Sequence, residues 1–444
     1  MAKLNKSSAK VYPVTHEGAR ASRIDAEAQL RRSVMACLLW ERTFYEDGID
    51  IADRIAGLVP IVNPQTVANI AIEAREQQKL RHVPLLIVRE MARHDSHKHL
   101  VAKTLERVIQ RADELTEFLA IYWKDAEIQN GQIMTPVSSQ IKKGLANAFP
   151  KFDAYQLAKW NRDGAVKLRD VMFLCHPKPK DQAQAEIWKQ LIEGTLPIPD
   201  TWEVALSTGK DKKETWIRLI AENKLGGLAL LRNLRNMIDV HVLEKVIIEA
   251  LSRMKTDRIL PFRFIAAAKY VPTLEPTLEV VMLECLNKFD KLSGKTAIVV
   301  DVSGSMEQQL SSKSEMTRMD AACGLAIVVR ELCRECVIIS FSNEAVIVPA
   351  RRGFALRDAI VKSQGHSGTF TQKALDVADE QGYDRIILIT DEQSHQSIGS
   401  PKGIGYGINV GSYQNGITYG IWTHLDGWSE NILSYIKESE SISQ

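Results

Sequence analysis

No uncharged apolar run in the sequence approaches the ~18 residues a membrane span needs, and the basic, polar start MAKLNKSSAKVYPVTHEG lacks the apolar centre of a secretory signal. These two absences predict a cytoplasmic protein. Cysteine is sparse: Cys37, Cys175, Cys285, Cys323, Cys333 and Cys336 are scattered over 444 residues, which excludes the dense disulfide framework of a small secreted domain. Cys333 and Cys336 form a C-x-x-C, but no second Cys or His pair stands at zinc-finger spacing. Because Cys323 and Cys333 lie in an apolar run read as helix, buried thiols are expected. The G-x-S-x-G elbow of a serine hydrolase is also missing. An excess of charge is lacking too. The net value of +2 argues neither for nor against nucleic acid.

What is present is an ordinary globular composition, 45% hydrophobic and 25% charged, in a chain too long for one core, since single cores stop growing at roughly 250 to 300 residues. Two domains are therefore expected, and the charge is divided between them. Residues 1–290 carry 43 basic against 37 acidic side chains, and the remainder 14 against 18. Behind a tail at 1–22, expected to be flexible, residues 23–290 read as helix after helix, with few strand signals. Val101, Leu105, Val108, Ile109, Ala112 and Leu115 fall on one helical face, as do Leu243, Val246, Ile247, Ala250 and Leu251. Pro60, Pro64, Pro136, Pro150, Pro177, Pro179, Pro197, Pro199 and Gly226-Gly227 break the series into short amphipathic helices. Stacked helix pairs of this kind make an α-solenoid, with a compact helical bundle as the alternative.

At residue 291 the character changes. KTAIVVDVSGSM is a β-branched apolar run ending in small polar residues, the pattern of a buried parallel strand and its loop. Strands at CVIISFS, AVIVPA, RIILITD, YGINVG and ITYGIWTHL alternate with helices at 319–332, 354–363, 372–380 and 429–437, which predicts a doubly wound α/β domain over 291–444. In such sheets ligands bind beyond the carboxyl ends of the strands, where Asp301 and Asp391 both fall. Asp301, Ser303 and Ser305 offer three oxygens from one loop, a donor set suited to a hard divalent ion such as Mg²⁺. A phosphoryl-transfer hydrolase would carry a second aspartate where Ser303 stands.

Residues 142–180 hold nine basic side chains against three acids. They include Lys142, Lys143, Lys151, Lys159, Arg162, Lys167, Arg169, Lys178 and Lys180, with His176 close by. Phe149, Phe152, Tyr155, Trp160 and Phe173 are interleaved with them. Cations neutralise phosphates and planar rings stack on unpaired bases, so single-stranded RNA is a natural ligand. Equally, the segment could be a solvated basic face over an aromatic core, which is where helical spacing puts most of these rings. Lys167, Arg169 and His176 stand apart, because the Pro177 turn exposes its flanks. His94, His97 and His99 read as an exposed polar helix junction.

The D-x-S-G-S at 301–305, with Gly368-Thr369 and Asp391, resembles the metal-ion-dependent adhesion site of von Willebrand factor A domains. That resemblance implies Ser303, Ser305 and Thr369 as direct metal ligands, with Asp301 and Asp391 supporting them. Phe370 stands where the family commonly has an aspartate. Over almost the whole chain, QLRRSVMACLLWERTFYEDG, LLIVREMAR, VKLRDVMFLCHPKP, TWEVALS, GGLALLRNLRNM, LPFRFIAA, DVSGSM, GINVGSYQNGITYG and WTHLDGWSE look like the TROVE-domain proteins, the Ro ribonucleoprotein autoantigen and its bacterial relatives. The resemblance implies a monomeric ring of HEAT-like helical repeats, an α-solenoid over 23–290 closed by a doubly wound von Willebrand factor A domain. It further implies a non-enzymatic RNA-binding protein that takes misfolded RNA 3′ ends and small Y-like noncoding RNAs for quality control or stabilisation. The metal site would recruit a protein such as an exoribonuclease. The family's basic RNA-binding segment falls here on Lys167, Arg169 and His176, with Arg232 and Arg235 as further candidates. A protein-protein adaptor without RNA is the alternative.

Overall fold

The structure, a computed structural model, describes residues 13–22, 24–36, 47–124, 128–129, 132–133, 136–161, 163–197, 200–207, 211–256, 259, 262–287, 290–411, 413–427, 436 and 440. Packing divides them into two units, one running through 26–255 and the other formed by the N-terminal segment, residue 47 and the chain from 256 onward.

The first unit is a succession of short helices: α1 (Ala26–Ala36), α2 (Gly48–Leu58), α3 (Pro64–Glu76), α4 (His82–Arg93), α5 (Lys98–Val108), α6 (Asp113–Tyr122), α7 (Ser139–Ala148), α8 (Ala154–Trp160), α9 (Leu168–Cys175), α10 (Gln182–Glu193), α11 (Trp202–Ser207), α12 (Lys212–Ala221), α13 (Gly227–Asp239) and α14 (Glu244–Arg253). A small antiparallel hairpin, β1 (Ile128–Gln129) with β2 (Gln132–Ile133), and a short 3-10 turn at Phe149–Lys151 interrupt the series. Local chemistry starts and stops the helices. Asn63 caps the first amides of α3 with Pro64 at its start, and Asp153 forms a capping box with Gln156 on α8. Asp181 caps α10, which ends on Gly194 in a left-handed conformation. Each helix packs on its neighbours in the manner of a solenoid: α5 lies against α3, α4 and α7, and α9 against α6 and α7.

A continuous apolar core runs from Leu30 to Leu196 and includes the whole face from Val101 to Leu115. Within it, the buried Arg75 guanidinium meets Glu114 at 2.6 Å and donates to the Val108 carbonyl at 3.0 Å. Glu114 also accepts the Gln110 and Arg111 amides at 2.8 and 3.0 Å. Two expectations need correction. His97 is buried rather than part of an exposed junction, because it sits against Ser96 and the turn after α2. Leu243, expected on the buried face of α14, is exposed because it stands at the cap, ahead of the first helical turn.

The second unit begins with α15 (Phe262–Tyr270) and α16 (Glu275–Leu286), and continues as β3 (Leu292–Asp301), α17 (Arg318–Leu332), β4 (Cys333–Phe341), β5 (Ala345–Ile347), α18 (Gly353–Val361), α19 (Thr371–Gln381), β6 (Arg385–Thr390), β7 (Ile404–Asn409) and β8 (Thr423–Asp426). The sheet order is β5-β4-β3-β6-β7-β8, parallel except for β5. This is the doubly wound α/β arrangement, and its switch point lies between β3 and β6. Helices α15 and α16 belong to this unit by packing. Lys269 pairs with Asp320 of α17, Glu275 with Arg357 of α18 at 2.9 Å, and Glu279 accepts the Phe354 amide at 2.6 Å.

Cys333 opens β4 rather than continuing the helix before it. Cys175, Cys285, Cys323 and Cys333 are buried and form no disulfide among the described residues, and burial pushes the Cys175 and Cys323 thiols up to about 12. Residues 13–22, expected in a flexible tail, are tied down: Thr15 and His16 bond to Ser394 and Gln393, and the Ser22 amide donates to Gly416. The helix expected at 429–437, Cys37 and Arg162 lie outside the described residues. Among the described residues no helix is long and apolar enough to cross a membrane.

Candidate metal centre and basic face

The switch point of the sheet determines the first site. Asp301 is the last residue of β3 and Asp391 follows β6, so the two fully buried carboxylates face one crevice. Asp301 accepts the Ser303 amide at 2.8 Å on one oxygen and the Thr390 hydroxyl at 2.6 Å on the other. The amide contact turns the chain sharply after the strand, and Ser303 Oγ then lies 3.3 Å from Ser305 Oγ. The Gly304 amide donates to the Ser367 carbonyl at 3.1 Å, drawing the 366–369 loop onto the 301–305 loop. A Cβ at Gly368 would lie 2.4 Å from Asn343 Oδ1 and 2.9 Å from the Phe370 ring, so these side chains would have to shift to admit one.

Electrostatically the crevice is short of positive charge. Burial, and then the proximity of Asp391, raise the Asp301 carboxyl to about 7. The cation the chain itself supplies is Arg318 in the first turn of α17, whose buried guanidinium donates to Asp391 at 3.2 Å and approaches the Ser305 carbonyl. Two buried carboxylates beside one guanidinium, together with two converging hydroxyls and the buried Thr369, are a donor set that fits a small hard divalent ion. No cluster of three His, Cys, Asp or Glu side chains at metal-binding distance exists among the described residues, so any ion here would rely on hydroxyl donors.

Around Thr369 the structure brings in residues that the sequence motifs do not flag. The Thr369 amide donates to Nδ1 of His395 at 3.2 Å and its carbonyl accepts from the His395 amide at 3.1 Å. Phe370 stacks on the His395 ring at 5.5 Å between centroids and 11° between planes. His395 in turn faces Glu17 of the N-terminal segment at 3.3 Å. Phe370 thus braces the loop against an imidazole. Beside Asp391, Glu392 adopts a left-handed backbone (φ 62°) and points away from Asp391 into a second buried cluster. It accepts the Thr418 amide at 2.8 Å and faces His424, which also meets Asp426 at 2.9 Å and stacks on Tyr419.

The basic segment is built around α9. Lys167 caps the helix from its start, with its amide donated to Asp170 at 2.9 Å, and His176 ends it in a left-handed turn (φ 47°) before Pro177. Leu168, Val171, Met172 and Cys175 are buried, which leaves Arg169, Phe173 and His176 on the outer face. Lys178 and Lys180 continue the exposed run. Lys142 and Lys143 are exposed on α7, as are Arg232 and Arg235 on α13. Other members of the segment are engaged in structure. Lys151 donates to the Glu106 and Ile109 carbonyls at the end of α5; burial is the main influence holding its ammonium below the usual range. Lys159 is half-buried and lies 3.4 Å from Glu203. Lys167 is paired with Asp163 at 2.7 Å, an exposed contact that a stronger anion displaces at little cost. Among the interleaved rings, Phe149 and Phe152 are core, Trp160 is half-buried beneath Arg111, and Tyr155 and Phe173 are exposed.

Residues 194–339 match the TROVE domain family, a stretch that runs from the end of α10 into β4. The fold is similar to the crystal structure of the Deinococcus radiodurans RO (RSR) protein, with a TM-score of 0.58 and 18% sequence identity over 91% of this chain and 97% of that one.

Proposed function

We propose, supported by the match of residues 194–339 to the TROVE domain family, that this chain is a non-enzymatic RNA-binding protein whose helical unit captures structured noncoding RNA carrying a single-stranded end. The observation that carries this reading is the exposed run Arg169, His176, Lys178 and Lys180, with half-buried Lys167 at its start, arrayed along one helix and the turn that ends it. Cations there neutralise phosphates and release counterions, which supplies affinity without sequence preference. Lys142 and Lys143 extend the positive field from α7, and the structural roles of Lys151 and Lys159 leave them outside it.

The α/β unit would hold a divalent metal ion, Mg²⁺ by its oxygen donors, through Ser303, Ser305 and Thr369, with Asp301 and Asp391 as supporting carboxylates. When bound, the ion supplies an electrophilic position for an acidic group of a protein partner, an exoribonuclease being the partner class the family resemblance suggests. The chain's own residues prepare the site: Asp301 turns the first loop, His395 positions the Thr369 peptide, and Arg318 balances Asp391.

Filter binding of the full chain to a hairpin RNA with an unpaired tail tests the first part. Affinity should fall steeply with rising salt, and the triple variant K167A/R169A/H176A should flatten the dependence of log K on log salt by about 1.4, roughly 0.7 for each of two lost lysine or arginine contacts to a single strand. An absence of binding at low salt would leave a protein-protein adaptor as the better reading.

A further inference from the structure

Phe173 is the feature of the basic face that phosphate neutralisation does not use. Its ring is 58% exposed on α9, with Arg169 one turn before it and His176 one turn after, so the three side chains share one stripe of the helix. The opposite face of α9 is fully committed to the core through Leu168, Val171, Met172 and Cys175. The ring is therefore not left over from an unfinished core contact. A planar apolar surface set between cations on a rigid helix has the composition of a nucleic-acid stacking platform, in which π-faces take bases and flanking cations take the backbone. An apolar docking site for a protein would instead be a broader uncharged patch. From residue 167 to 180 there are four basic side chains and one acid, Asp170, a complement to polyanion.

Resting on the RNA-binding reading above and deepening it, we propose that Phe173 stacks on an unpaired base of the bound RNA, while Arg169 and the Lys178–Lys180 turn hold the phosphates on either side. The single-stranded tail, and not the duplex, would be the part of the RNA that lies over α9. Stacking is sequence-tolerant because every base has a π-face, so this subsite contributes affinity for unpaired RNA in general.

The test uses the full chain and two probes, a hairpin RNA with a single-stranded oligouridine tail and the same hairpin without it. F173A should weaken binding of the tailed probe roughly 5- to 150-fold, leave the blunt hairpin unaffected, and leave the salt slope unchanged, because no phosphate contact is lost. F173W should retain affinity and F173L should lose it nearly as F173A does. If the wild type binds the tailed probe and F173A binds it equally, or if F173L restores full affinity, the platform does not exist. A wild type that binds neither probe overturns the RNA reading itself, a result separable from the first because it is seen before any variant is made.

Discussion

Replacing His424 with Gln should remove a pH dependence of stability whose shape follows from the cluster around Glu392. Burial alone would lower the imidazole, but Asp426 and Glu392 outweigh it and hold the group up at about 9, against an ordinary value of 6.5. The protonated ring bridges the two carboxylates. Thr418 bonds to both Glu392 and His424, and Asn409 donates to Asp426 at 2.8 Å, so the carboxylates are fixed in place. A raised folded-state value means that the unfolded chain binds fewer protons, and stability is fully present below 6.5 and lost as pH climbs through 9. A shift of that size corresponds to about 3 kcal/mol below pH 6.5. It should fall to about half near pH 8 and to a few tenths of a kcal/mol at pH 9. Urea unfolding of wild type and H424Q in parallel from pH 6 to 9 isolates this contribution, since other titrations cancel in the difference. The reasoning is refuted if the stability difference between the two proteins is flat across that range, or if it grows with pH.

Three further outcomes are expected. R318M should cost ~3–5 kcal/mol in metal-free buffer because Asp391 is left buried and uncompensated, and Mg²⁺ should then raise its Tm more than that of the wild type; equal stability of the two without metal would contradict the ion pair. G368A should abolish the Mg²⁺-induced rise in Tm while keeping the circular dichroism spectrum, since the added Cβ displaces the loop carrying Thr369, and an undiminished rise would exclude that loop from the site. R75M should destabilise the helical unit by ~3 kcal/mol in denaturant unfolding, the low end of the loss expected for breaking a buried pair, because Glu114 keeps its burial and loses its nearer guanidinium while Arg81 stays 3.7 Å away; a neutral substitution would show that the pair is solvated.

Much of the candidate site was legible in the sequence because its parts are local. D-x-S-G-S follows an apolar strand, and a second apolar strand ends at Asp391, so parallel pairing alone brings the two carboxylates together. What completes the site was not legible. Arg318 lies in what reads as a helix start, and its reach to Asp391 depends on how α17 packs over the sheet. His395 carries no motif, and only the stacked geometry explains why Phe370 can stand beside Thr369. In the basic segment, spacing located the helix but not its orientation: α9 is too short for periodicity to say that Phe173 faces outward, while Phe149 and Phe152, which face inward, lie earlier, at the turn after α7. The same limit separates the change in composition at residue 291 from the division in packing near 255. Helices α15 and α16 read like those of the solenoid, yet their charged side chains pair with α17 and α18.

The bonds from Thr15, His16 and Ser22 to residues 393–416 make the α/β unit discontinuous along the chain, with the helical unit threaded between its first and last pieces. During synthesis the N-terminal segment must wait for loops made some 380 positions later, while the helical unit, complete by residue 255, can already be folded. Because loop closure grows only logarithmically with length, at about 0.6 kcal/mol per doubling, the long wait is inexpensive at equilibrium. In time it is not: the α/β unit stays incomplete until residue 416 has emerged. A fusion partner placed at the N-terminus would therefore act on the Thr369 loop through Glu17 and His395, and would be felt at the candidate metal centre rather than on the helices that follow it in sequence.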